Sequence, residues 1–131
     1  MQIDKTNEKL LVTEAYIHDS VLEEFRFDRK AKHLHLQIVD TYPCPKQRTI
    51  DFMQVIGFEM TAGDYWGPSE QILGIEYVED ADKTLVPRLF TTWKNDRSIA
   101  CPLSDPDKYI EALITFISGD MLRVACERIV I

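Results

Sequence analysis

Apolar and polar residues alternate with a period of two along much of this chain, the spacing of strands whose successive side chains face opposite sides. In VLEEFRFD, residues 21–28, one phase holds Val21, Glu23, Phe25 and Phe27. In KHLHLQIVD, Leu34, Leu36 and Ile38 alternate with His33, His35 and Gln37. The connector DRKAK between them has the composition of a hairpin turn. TYPCPKQR carries two prolines around Cys44 and reads as a loop, since proline lacks the amide a ladder needs. TIDFMQVIGFEMT is long enough for one strand, with Gly57 as a bulge that brings both Val55 and Phe58 to apolar surroundings.

Gly63, Gly67 and Pro68 break the pairing that follows, which puts Tyr65 and Trp66 in a loop before QILGIEYVE resumes as a strand. DADKT reads as a turn, LVPRLFTTWK as a further strand with Pro87 at an edge or bulge, and NDRS as another turn. SDPDKYIEAL places Ser104 or Asp105 ahead of Pro106, an N-capping pattern that predicts one short helical turn. The tail LITFISGDMLRVACERIVI predicts a hairpin around Ser118, Gly119 and Asp120, with Leu122, Val124, Cys126, Ile129 and Ile131 inward. EKLLVTEAY, within Asn7 to Tyr16, fits a short helix and a first strand equally well.

Seven or eight short strands joined by short turns leave no room for the long crossovers of a parallel sheet. The expectation is a mainly β domain, an antiparallel β-sandwich or strongly curved sheet of 7–8 strands with at most one or two short helices. At 131 residues, 45% apolar and 28% charged, the chain is expected to fold as a single globular domain, residues 1–131, without a cofactor, disulfide or metal staple. MQIDKTNEKL lacks the apolar centre of a signal peptide, and no run of about 18 apolar residues could span a bilayer. A cytoplasmic chain with no membrane partner is expected. The three cysteines, Cys44, Cys101 and Cys126, are odd in number and unpaired in spacing, which suits reduced thiols.

Charge changes the picture once it is located. Residues 59–82 contain Glu59, Asp64, Glu70, Glu76, Glu79, Asp80 and Asp82 with no Lys or Arg, so the net charge of −7 resides in this stretch. The other 107 residues balance 15 acids against 15 bases. A nucleic-acid surface needs clustered Lys and Arg, so nucleic acid is not the expected partner. Acidic side chains solvate exposed loops in many proteins. They also attract basic partners, and Tyr65 and Trp66 beside them supply the kind of aromatic area that anchors an interface. Buried instead of exposed, Trp66 would plug the end of the sheet.

The motifs of enzymes contribute little. No phosphate loop, dinucleotide fingerprint, nucleophile elbow or HExxH helix is present. His33 and His35 project from one strand face and could ligate a metal with Asp19, Asp40 or Glu24, although their alternation with Leu34, Leu36 and Ile38 is more simply that of the face opposite the core. His18, Asp19 and Ser20 are consecutive and cannot form a triad. Glu23 and Glu24 point to opposite strand faces and do not make a glycosidase pair. Cys44 lacks a context that lowers its pKa, and Cys101 and Cys126 read as structural.

HDSVLEEFRFD, KHLHLQI, IDFMQVIGF and ITFISGDMLRVACERIVI together resemble small bacterial β-rich families, several of them uncharacterised, found near polymorphic or contact-dependent toxin genes as immunity proteins. The resemblance covers most of the chain and its motifs are structural. It implies a non-catalytic protein that neutralises a toxin by covering its active site. With the charge, it gives the leading expectation: a basic protein partner, a toxin domain in the immunity-like version, bound through Tyr65, Trp66, Glu70, Glu76, Glu79, Asp80 and Asp82. The alternatives are a metal-dependent β-fold enzyme using His33, His35 and an acid, and a structural subunit that pairs an edge strand with its own copy as a homodimer.

Overall fold

The computed structural model describes residues 1–41, 43–61, 71–95 and 105–131. Its elements are β1 (Gln2–Asp4), a 3-10 turn (Glu8–Leu10) running into α1 (Leu11–Glu14), β2 (Val21–Asp28), β3 (His33–Asp40), β4 (Lys46–Met53), β5 (Gly57–Met60) and β6 (Ile72–Tyr77). A 3-10 turn (Asp80–Asp82) precedes α2 (Leu85–Asn95), and another (Pro106–Lys108) precedes β7 (Ile110–Phe116), β8 (Met121–Cys126) and β9 (Arg128–Val130). The strands form a five-stranded sheet ordered β1-β9-β4-β3-β2 and a four-stranded sheet ordered β5-β8-β7-β6, antiparallel throughout. The expected β-sandwich is therefore the observed architecture.

Its core lies between the sheets. Leu34, Leu36, Ile38, Ile50, Phe52 and Ile129 from one sheet meet Ile72, Ile110, Ile114, Leu122, Val124 and Cys126 from the other, all with 1% or less exposure. Burial on this scale, at about 25 cal/mol for each Å² of apolar surface, is the main force holding the layers together. Burial also pushes the Cys126 thiol up and away from reactivity.

TIDFMQVIGFEMT is not one strand. Gln54 adopts a left-handed conformation, φ 54°, after β4, and the chain crosses to the other sheet before β5 begins at Gly57. The tail crosses at the same corner, between β8 and β9. Ile56 N–H donates to Ala125 O at 2.9 Å and Glu127 N–H to Met53 O at 3.2 Å, so the two long segments bend as a pair. Gly57 marks a close approach and not a bulge: a Cβ there would lie 2.6 Å from Leu89 Cδ1 of α2, so the Leu89 side chain would have to turn aside. Splitting these two segments and adding β1 gives nine strands among the described residues.

LVPRLFTTWK is helical, against the expectation of a strand. Leu85, Val86, Leu89 and Phe90 recur at helical spacing, and Pro87 lies in the first turn, where its missing N–H has no intrahelical acceptor. The stripe packs with Tyr109, Ala125 and Ile56 as a second, smaller core on the outer face of the four-stranded sheet. Glu111 of β7 caps this helix from beneath, accepting from Thr84 N–H at 3.1 Å and Val86 N–H at 2.8 Å.

β2 also departs from simple alternation. A bulge between Leu22 and Glu24 resets its phase, so Leu22, Phe25 and Phe27 lie opposite Ile38, Leu36 and Leu34, and Val21 and Glu23 do not share the face of Phe25. The ambiguous segment resolves as the short 3-10 turn and α1, with Leu11 and Ala15 buried. Asp105 caps the turn at Pro106, accepting from Asp107 N–H at 2.9 Å; Ser104, the other candidate, lies outside the described residues. The hairpins at DRKAK and Ser118–Asp120 form as expected. Asp28 Oδ1 accepts from Lys30 and Ala31 amides in the first, and Gly119 takes φ 90° in the second.

Candidate functional site

Two groups of polar side chains stand out on this scaffold: the acids along β6 and the turn after it, and a histidine pair on the outer face of the five-stranded sheet. Tyr65, Trp66, Glu70 and Asp64 lie outside the described residues, as do the NDRS turn beyond Asn95 and Cys101. The remaining acids of the 59–82 stretch divide into paired and unpaired.

Glu59 is paired. Arg88 of α2 reaches its carboxylate at 2.6 Å and Arg123 of β8 at 3.6 Å. Asp80 is paired as well, with Lys5 at 2.6 Å and Lys83 at 2.8 Å, and hydrogen bonds from Lys5 and Lys83 pull its carboxyl down to about 2. Lys5 is held above its ordinary range in turn: the hydrogen bonds of Asp80 and Glu8 outweigh a burial that alone would lower it. Glu79 accepts the Tyr77 hydroxyl at 2.9 Å, which raises the phenol. Glu76 and Asp82 are exposed and have no ion pair among the described residues; Glu79, also exposed, has none either. Among the described residues of this stretch, the acids without an ion pair are therefore Glu76, Glu79 and Asp82. Leu73, 49% exposed, lies on the same strand as Glu76, and β6 is an edge strand of its sheet.

The histidines sit where alternation puts them, outside the core, with Leu34 and Leu36 turned inward. None of the three acids named with them as metal partners comes close. Asp40 is held by Ser20 Oγ at 2.7 Å and Arg48 Nη2 at 3.0 Å, Glu24 lies 3.5 Å from Arg26, and Asp19 accepts from Gln71 at 3.2 Å. Asp51 takes their place. It lies opposite His35 in the β3–β4 ladder, and its Oδ1 is 2.7 Å from His35 Nδ1 and 2.6 Å from His33 Nε2. Burial would raise the Asp51 carboxyl, but the hydrogen bonds and charges of His35 and His33 outweigh it and hold it below the usual carboxylate range. The outward phase of Asp51 between Ile50 and Phe52 was readable from the sequence; the pairing register that sets it beside the histidines was not.

His18 Nδ1 meets Leu73 O at 2.7 Å, and His18 and Tyr16 border an open cavity of about 340 Å³ floored by Ser20, Asp40 and Arg48. Trp93 lines another, of about 360 Å³, with Phe27, Phe58, Arg29 and Lys32. Cys44 is exposed. Among the described residues no helix is long and apolar enough to cross a membrane.

These features define a two-sheet antiparallel β-sandwich with α2 packed on the outer face of its four-stranded sheet. No family model and no curated protein matches the chain. Among solved structures it is similar to an uncharacterized protein from Neisseria gonorrhoeae, with 17% sequence identity over 86% of this chain and 89% of that one, and a TM-score of 0.52. The likeness is one of fold alone.

Proposed function

We propose that this chain is a non-catalytic binding domain that takes a basic protein partner on the acidic surface formed by β6 and the turn after it, with neutralisation of a toxin domain as the leading version. The observation that carries this reading is that Glu76, Glu79 and Asp82 are exposed within seven consecutive residues and make no ion pair with Lys or Arg among the described residues. Uncompensated negative charge accelerates encounter with a positive surface, and apolar area beside it, here Leu73, supplies burial after contact. Tyr65, Trp66 and Glu70, outside the described residues, are proposed as partner-binding residues from the sequence alone. Asp80 is retained as its anchor to Lys5 and Lys83 and contributes little free charge.

The test begins with affinity capture from the native host using the wild-type chain and the Glu76→Lys/Glu79→Lys/Asp82→Lys variant. Association of the captured protein, purified, is then measured across ionic strength. A basic partner whose association slows by about tenfold or more in the variant, and loses its salt dependence, supports the proposal. Association rates that are the same for both chains at low salt reject this surface.

A further inference from the structure

His33, His35 and Asp51 stand apart from the acidic surface and are not used by it. We infer that these three side chains form a binding site for one divalent transition-metal ion of the zinc class, with His33 Nε2, His35 Nδ1 and Asp51 Oδ1 as its ligands. The donor atoms all lie within 4.8 Å of one another. Two imidazole nitrogens and a carboxylate oxygen are a donor set that suits zinc and its neighbours and is ill-suited to calcium or magnesium, which take oxygen ligands.

Geometry favours the site in three ways. His33 and His35 are two apart on β3 and Asp51 is the direct cross-strand partner of His35, so all three ligands are carried by one rigid pair of strands. Ligands of a tetrahedral ion about 2.0–2.2 Å away are separated from each other by roughly 3.3 Å. Asp51 Oδ1 is 2.6 and 2.7 Å from the two nitrogens, so admitting the ion requires it to withdraw by about 0.6–0.7 Å, within reach of small side-chain rotations. The side chains of His33, His35 and Asp51 retain 31%, 17% and 21% exposure, which leaves a solvent-facing position for a fourth, water ligand.

The neighbouring charges do not occupy the site. Asp28, across from His33, is engaged by the Lys30 and Ala31 amides of its turn. Arg26, across from His35, lies 3.5 Å from Glu24. In the absence of metal the two ring N–H groups satisfy Asp51. On binding, each coordinating nitrogen presents its lone pair and the ring carries its proton on the other nitrogen.

The experiment uses the untagged, chelator-stripped full chain in a Cys44→Ser background, titrated with zinc chloride alone by calorimetry and, in parallel, with cobalt chloride by absorption spectroscopy. The result expected is one ion per chain, with affinity reduced at least tenfold by His33→Ala, by His35→Gln and by Asp51→Asn, and a rise in melting temperature with zinc that Asp51→Asn loses. Asp51→Asn keeps side-chain size and an oxygen acceptor, and circular dichroism confirms that it is folded. Absence of stoichiometric binding by the parent chain overturns the proposal, and so does binding that persists unchanged in all three variants.

Discussion

Arg123 Nη1 lies 2.6 Å from Oε2 of Glu111, a carboxylate with no exposed surface, and the same carboxylate caps the N-terminus of α2 through the Thr84 and Val86 amides. One buried charge thus ties β7, β8 and the helix together. A buried ion pair is costly to assemble, but removing one partner leaves the other uncompensated. Glu111→Ala should therefore destabilise the chain by about 3–5 kcal/mol in urea denaturation. The Glu111→Ala/Arg123→Met double variant should lose at least about 1 kcal/mol less than the two single losses combined. Strict additivity would mean that Arg123 does not depend on Glu111.

The Leu89 side chain of α2 packs over Gly57, within 2.6 Å of where a Cβ would stand. Gly57→Ala places a methyl group against a flexible side-chain end, so Leu89 must turn away, at a cost of about 1–3 kcal/mol. In a Leu89→Ala background the same substitution should cost far less. Equal costs in both backgrounds would move the origin of the glycine requirement elsewhere.

Asp80 provides a pH prediction. Its carboxyl is depressed from 3.8 to about 2 by Lys5 and Lys83, so its contribution to stability is present above the unfolded value and is lost as pH falls from 3.8 through about 2. Its side chain is 68% exposed, and screening limits the effect to under about 1 kcal/mol. Asp80→Asn should flatten stability over that acid window, and added salt should have the same effect on the wild type. Unfolding curves in urea across the window check both.

Phe52 and Phe25 should separate core from rim. Phe52 is fully buried, and Phe52→Ala should cost about 3–5 kcal/mol, a large part of the ~5–15 kcal/mol stability of a typical domain. Phe25 is 36% exposed and meets Phe58 edge-on at 5.5 Å, so Phe25→Ala should cost less than half as much in the same denaturation assay.

By itself the sequence determined the class of fold. Period-two alternation in β3 and around the Ser118–Asp120 hairpin, with turn residues at short intervals, leaves an antiparallel sandwich as the way to bury those faces. It also determined that His33 and His35 face away from the core and that the excess charge falls between residues 59 and 82. Tertiary structure decided what local pattern cannot encode. Leu85 to Asn95 is helical because a distant carboxylate, Glu111, caps it and a second apolar face receives it, while strand propensity reads only neighbours in the chain. Asp51 joins the histidines, and Lys5 and Lys83 neutralise Asp80, through contacts spanning up to 75 residues. Charge and chemistry at a site depend on distances in space, and those are fixed only when the ladders choose their register and the sheets close on their common core.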